Sequence, residues 1–267
     1  MTKPWLSLSI VVGLVLVLAV PAWADFQAGL DAYERGDYDT ALREWRPLAD
    51  QGDAFAQTSL GFMYKNGQGV PQDYQKALLW YHQAADQGNA SAQNNLGVMY
   101  NKGHGAPQDY GEAVKWYRLA ADQGEALAQF NLGAMYHNGH GAPQDYQEAI
   151  RWYQKAVEQG EAVAQNNLGV MYARGQGVAQ DYQEAIRWYQ LAVEQGDADA
   201  QYNLGLIYGQ GEGVPKDYVL AHMWLNLAAG KGMKEAVKGR DFLRKLMTPD
   251  QIAEAQRLAR EWALKGK

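Results

Sequence analysis

The strongest constraint in this chain of 267 residues is an internal repeat. Gly52, Gly88, Gly124, Gly160, Gly196 and Gly232 follow one another at intervals of 36 residues. Leu60-Gly61, Leu96-Gly97, Leu132-Gly133, Leu168-Gly169 and Leu204-Gly205 keep the same period. So do Met63-Tyr64, Met99-Tyr100, Met135-Tyr136 and Met171-Tyr172, with Ile207-Tyr208 in the fifth unit. A segment of this length holds one pair of short helices, and such a pair cannot bury its apolar face alone. Copies must therefore stack, each touching mainly its neighbours.

Within a unit the apolar spacing predicts a first helix over about 53–66, with Ala56, Leu60, Met63 and Tyr64 on one face. The glycines of Asn66-Gly67-Gln68-Gly69 end it. Asp73 then opens a second helix that buries Ala77, Trp80, Tyr81, Ala84 and Ala85. Asp109 with Glu112, Asp145 with Glu148 and Asp181 with Glu184 have the spacing of a capping box, in which Asp accepts from early backbone donors and Glu reaches back. Gly88, Gly124 and Gly160 suit a left-handed end to the second helix. The chain ends depart from the pattern. Residues 25–51 lack the glycine-rich loop. Residues 232–267 hold a helix near 234–247 and a last one opened by Thr248-Pro249-Asp250-Gln251, whose Ile252, Ala255, Leu258, Ala259 and Trp262 turn toward the stack.

The predicted fold is therefore all-α, an α/α solenoid of stacked antiparallel helix pairs, with 13 or 14 helices. It comprises a short N-terminal unit (25–51), five repeats (52–87, 88–123, 124–159, 160–195, 196–231) and a C-terminal helical cap (232–267). Ahead of these, Lys3, the apolar run from Trp5 to Val20, Pro21 and Ala22-Trp23-Ala24 have the form of a signal peptide (1–24) cut after Ala24. The run is shorter than the roughly 20 residues a spanning helix needs. The expectation is a periplasmic protein with no stable membrane insertion after cleavage.

Composition narrows the chemistry. No cysteine is present, which excludes disulfides, thiolate metal ligands and a thiol nucleophile. A net charge of −6 argues against a nucleic-acid partner. No G-x-S-x-G, H-E-x-x-H or Walker loop occurs, and the G-x-G sequences punctuate turns between helices. His104 and His140 share a loop position, with His137 close by, but Gln68, Gln176 and Glu212 fill that position in other units. The three are assigned to polar turns. His82 and His222 are placed at the surface or its boundary. The expectation is no enzymatic activity, no cofactor and no bound metal.

The unit carrying Leu60, Gly61, Met63, Tyr64, Gly67, Gly69, Val70, Asp73, Tyr74, Ala77, Trp80, Tyr81 and Gly88 resembles the Sel1-like repeat, a relative of the tetratricopeptide repeat. The short first unit is more similar to the latter. Ala179 departs from the pattern at the loop proline, Ile207 at the methionine and Leu225 at the second aromatic. The resemblance implies a scaffold or adaptor that holds other proteins, in secreted members often in service of the cell envelope. A cysteine-rich secreted branch is associated with penicillin binding and β-lactamase activity. This chain lacks those cysteines, and the activity is not carried over.

The resemblance also implies that the first helices line a concave groove. One line of side chains facing it is Thr58, Asn94, Phe130, Asn166 and Tyr202. A second is Lys65, Asn101, His137, Ala173 and Gly209, and a third is Asn66, Lys102, Asn138, Arg174 and Gln210. The candidate binding set is the first line together with Lys65, Asn101, His137, Lys102 and Arg174. Their amides suit an extended backbone, the aromatics an apolar side chain, and the cations a carboxylate. The expected function is a non-enzymatic, monomeric scaffold of the bacterial envelope that binds a protein or peptide in this groove. The alternative partner is a glycan, peptidoglycan or an exported polysaccharide, which exposed aromatics over a polar groove would favour.

Overall fold

The computed structural model describes residues 25–265, and the regular structure among them is helical, in 14 helices. The signal-peptide assignment lies outside the described residues. No helix among the described residues is long and apolar enough to cross a membrane. The chain divides into two compact units, one ending at Gln87 and the other beginning at Gly88.

The first unit holds α1 (Phe26–Glu34), α2 (Tyr38–Asp50), α3 (Ala54–Asn66) and α4 (Tyr74–Asp86), packed as two antiparallel pairs. Its core gathers Trp45, Leu60 and Met63 among Ala32, Ala41, Ala49 and Ala56. Trp45 lies directly against Gly29 and donates its indole N–H to the Phe26 carbonyl at 3.0 Å.

The second unit continues the pattern. It contains α5 (Ala90–Lys102), α6 (Tyr110–Asp122), α7 (Ala126–Asn138), α8 (Tyr146–Glu158), α9 (Ala162–Arg174), α10 (Tyr182–Glu194), α11 (Ala198–Gln210) and α12 (Tyr218–Gly230). The helices α13 (Lys234–Arg244) and α14 (Pro249–Lys265) then pack on α12. Within a pair the two helices meet through one close contact. A Cβ added at Gly97 would stand 2.5 Å from the Tyr117 ring. Tyr153, Tyr189 and Leu225 press the same way on the first helices of the following repeats. The glycine lets the axes approach until the ring is sealed between them, and Tyr117 and Tyr153 are both fully buried.

Helix ends follow local chemistry. Asp73, Asp109, Asp145, Asp181 and Asp217 each cap a second helix, the carboxylate accepting from a backbone N–H three residues on. The reciprocal half of the expected capping box is not formed. Glu112, Glu148 and Glu184 turn forward to Lys115, Arg151 and Arg187 on the exposed helix surface. The N–H that this arm would accept from is already taken: Asp109, Asp145 and Asp181 donate theirs to the Tyr100, Tyr136 and Tyr172 carbonyls at 2.9–3.0 Å, which leaves the glutamates to the cations one turn on. Thr248 and Gln251 close both arms, the Gln251 N–H donating to the Thr248 hydroxyl at 3.2 Å and the Thr248 N–H to the Gln251 side chain at 2.9 Å. The second helix of the repeat ends as expected, with Gly124 at φ +92° and the Glu125 N–H returned to the Ala120 carbonyl.

Two sets of polar contacts bind the pairs further. Buried Gln57, Gln93, Gln129 and Gln165 accept from Gln87, Gln123, Gln159 and Gln195 at 2.7–3.0 Å. The loop of one repeat also lies on the second-helix start of the repeat before it. Gln68 donates to the Tyr38 hydroxyl, His140 stacks on Tyr110 at 4.7 Å, and Gln176 donates to Tyr146. Gly141 sits so close to the Tyr110 carbonyl that no Cβ fits, and its φ of +72° excludes other residues as well. The G-x-G sequences are thus inter-repeat clasps.

His222 departs from its sequence-based placement. It stands in register with buried Leu78, Val114, Ile150 and Ile186, and it is 1% exposed. Neither ring nitrogen has a hydrogen-bond partner. Burial holds its pKa below the usual imidazole value, and Arg240 and Arg244 push it further down against the opposite pull of Asp241.

Two predictions follow from this packing. Gly97→Ala should cost about 1–3 kcal/mol by overpacking. Combining it with Tyr117→Ala should cost clearly less than the sum of the two single changes, as urea unfolding of all four chains would measure. The second concerns pH. A depressed imidazole pKa means that the unfolded chain takes up a proton first, so stability is full above about pH 6.5 and falls as the medium is acidified below it. His222→Leu should flatten that fall and, by removing two unmet polar atoms, add about 1–3 kcal/mol. Thermal melts between neutral and mildly acidic pH compare the two chains.

Candidate functional site

The three lines of candidate residues occupy different environments. The first line is the seam between adjacent first helices. Asn94 and Asn166 are each 6% exposed and accept from Asn131 and Asn203 of the following repeat, at 3.0 and 2.9 Å. The expectation that their amides are free is corrected. A first helix packs on the next one, and the side chain on that flank is covered. Phe130 is half-buried against Tyr153, with ring centroids 5.9 Å apart, and half-buried Tyr202 packs on the C-terminal cluster around Leu225 and Leu243. Neither is the open aromatic surface expected of it. Thr58 is half-buried and donates to the Ala54 carbonyl.

The second line serves the loops. His137 bonds Gln176 of the following repeat at 3.2 Å and lies beside the Tyr146 ring. Asn101 hydrogen-bonds the buried Tyr117 hydroxyl. Lys65 lies over the Phe62 ring, its ammonium 5.1 Å from the centroid. Among the described residues no group of three or more His, Asp or Glu side chains is placed to hold a metal ion. The third line is the open one, with Lys102 and Arg174 exposed at the ends of α5 and α9.

Arg174 lines a recess of about 380 Å³ between α9 and α11. Val170, Tyr189 and Ile207 form its apolar floor, and Asn203 and Glu212 add polar groups. Helix position explains the arrangement. Arg174 is the last residue of α9, where the Gly175 turn begins, and Glu212 follows the corresponding glycine of α11 one repeat on. A cation and a carboxylate thus flank one pocket of mixed lining, where Glu212 also accepts from the Tyr182 hydroxyl. Such a pocket can take a carboxylate at Arg174, an N–H at Glu212 and an apolar side chain between them.

Burial raises the Tyr189 phenol above its ordinary pKa, with only partial opposition from Arg174. Tyr153 is pushed up to about 12 by the same cause. These hydroxyls stay neutral at physiological pH. Of the ten candidate residues only Arg174 lines this recess. Sequence reasoning missed Asn203 and Glu212. The alternation of Asn94, Phe130, Asn166 and Tyr202 in successive repeats was the signal that this line changes its packing role from unit to unit.

The sequence model described as Sel1 repeat matches residues 54–89, 90–125, 126–161, 162–197 and 198–233. No curated protein matches. Among solved structures, a Sel1 repeat protein from Oxalobacter formigenes is 34% identical with a TM-score of 0.76, over 89% of this chain and 99% of its own. A protective antigen of uropathogenic Escherichia coli strains, c5321, which displays an SLR fold, is 36% identical with a TM-score of 0.75. That match covers 91% of this chain and 54% of c5321. A Sel1 repeat protein from Klebsiella pneumoniae is similar at 25% identity and a TM-score of 0.52, over 75% of this chain and 98% of its own.

The two kinds of position should separate in a melt. Asn203→Leu strands the buried Asn166 oxygen and should cost about 1–3 kcal/mol. Trp152→Ala opens a cavity in the second unit's core and should cost about 3–5 kcal/mol. Arg174→Ala, on the open line, should stay within about 0.5 kcal/mol of the unmodified chain. Denaturant titrations of the three variants test the ranking.

Proposed function

The chain belongs to the Sel1 repeat family, whose members generally act as protein-interaction scaffolds, and from that premise we propose that it is a non-catalytic scaffold of the bacterial cell envelope. It holds a polypeptide partner at the first-helix face of its C-terminal repeats. The observation that carries this reading is the recess flanked by Arg174 and Glu212 over an apolar floor. Peptides present the complementary set: carboxylates, N–H donors and apolar side chains within a few ångströms of one another. A glycan partner would call for aromatic faces open above polar groups. Phe130 and Tyr202 are instead half-buried in the packing, so the polypeptide reading is preferred.

The envelope location rests on the N-terminal sequence from Lys3 to Ala24. It requires a periplasmic product whose intact mass begins at Asp25. Retention of Met1, or recovery only with the membrane after a high-salt wash, contradicts it.

Affinity capture from an envelope extract tests the binding surface. The unmodified chain should retain a defined polypeptide. Arg174→Glu, which sets two acids on one pocket, should reduce retention at least about tenfold, equivalent to a loss of about 1.4 kcal/mol, without lowering the melt. Equal capture by the variant would move the recognition surface elsewhere.

A further inference from the structure

In four full repeats a buried glutamine of the first helix is answered by the glutamine that follows the second. Gln57, Gln93, Gln129 and Gln165 accept an amide N–H at 2.8, 2.7, 2.8 and 3.0 Å. The fifth repeat breaks the series. At the place where a fifth glutamine would stand, 36 residues beyond Gln195, the chain has Lys231. Its ammonium donates to the Gly196 carbonyl and lies within the field of the Asp197 carboxylate. Gln201 therefore keeps a buried Oε1 with no partner, in a residue only 3% exposed. An acceptor taken out of water and left unmet is unfavourable, and it is a standing demand for a donor.

Gln201 lines a recess of about 550 Å³, whose walls include Val193, Gln195, Leu227, Lys231 and Trp262. The Trp262 ring is held edge-on by Trp224, centroids 4.9 Å apart at 71°, so this wall is braced from behind. Glu194 and Lys231 stand exposed beside it. The recess thus combines an acceptor at depth, an aliphatic and aromatic lining, and charges of both signs at its rim.

We propose that this recess binds a polypeptide segment that donates one amide N–H to Gln201 Oε1 and seats an aliphatic side chain against Leu227, Val193 and Trp262. The class of ligand comes from the sister repeats. In all four, the donor that satisfies this acceptor is an amide N–H, so the pocket geometry is already one that an amide fits. A polypeptide carries such a group beside every apolar side chain, and the pair matches the acceptor and its apolar surround together. This inference rests on the polypeptide-scaffold reading and adds to it a second point of contact, separate from Arg174.

The test uses the full chain and N-acetylleucine methylamide, a capped residue with two amide N–H groups and one isobutyl side chain. Titration followed by nuclear magnetic resonance should shift the Gly196 amide and Trp262 indole signals saturably, with a dissociation constant of about a millimolar, as befits so small a ligand. The fully N-methylated analogue keeps the apolar surface and lacks every N–H, and should bind at least about tenfold more weakly. Lys231→Gln restores the amide found in the other four repeats. It should weaken the probe at least about tenfold while the melt stays level or rises. Arg174→Glu should leave the titration unchanged. No saturable shift in the unmodified chain, equal binding of the N-methylated probe, or undiminished binding by Lys231→Gln would each overturn the proposal. A chain that captures an envelope partner through Arg174 yet ignores the probe overturns this inference and leaves the scaffold reading standing. A probe response without any captured partner supports this recess and counts against the wider reading.

Discussion

Everything in this protein depends on how closely two helices of one repeat can approach. The approach is set where a ring of the second helix presses on a glycine of the first, as Tyr117 does on Gly97. Dispersion falls steeply with distance, so a contact without a Cβ between the axes gives short helices the packing density that their length would otherwise deny them. Each repeat has helices of 13 residues, too short to persist alone in water. With no cysteine to cross-link it, the chain relies on such contacts. The flanking alanines, Ala113 and Ala120 among them, are fully buried for the same reason: they fill the approach without widening it.

Much of this was legible in the sequence because periodic residues perform periodic tasks. The helix pairs, the Asp caps and the left-handed glycines all follow from residue type and spacing. Three features were not legible, each for a definite reason. The N–H groups that the Glu arms of the capping box would meet are bonded to tyrosine carbonyls of the preceding helix, a tertiary contact that local spacing does not show. The line from Thr58 to Tyr202 was read as open because the repeat pattern leaves it variable. It varies because asparagine pairs and aromatic contacts solve the same seam in different ways. His222 was read by its polarity and placed at the surface, although its register with Ile186 marks an interior position. Of the candidate site, Arg174 was found because its helix ends in the open. Glu212 escaped notice because the loop position it fills elsewhere carries clasping residues.

Beyond Ala179 and Ile207, three departures from the repeat fall together. Leu225 in place of tyrosine, His222 in place of an aliphatic residue and Lys231 in place of glutamine all fall on or just after α12. This is the helix on which α13 and α14 pack, and its partners are no longer copies of a repeat. An end surface must meet unlike neighbours, so the rules that hold inside the array are relaxed there. The same relaxation leaves His222 and Gln201 with unmet polar atoms.

The clasps between loops and helix starts have one further consequence. Gln176 reaches Tyr146 across 30 residues, and His137 reaches Gln176 across 39, so these long-range bonds span little more than one repeat. A chain whose contacts are this local closes only short loops as it folds, and short closures are fast. Each repeat gains its partners as soon as the following one has emerged. The order of folding can therefore be the order of synthesis. The leading repeats need not wait for the last helix.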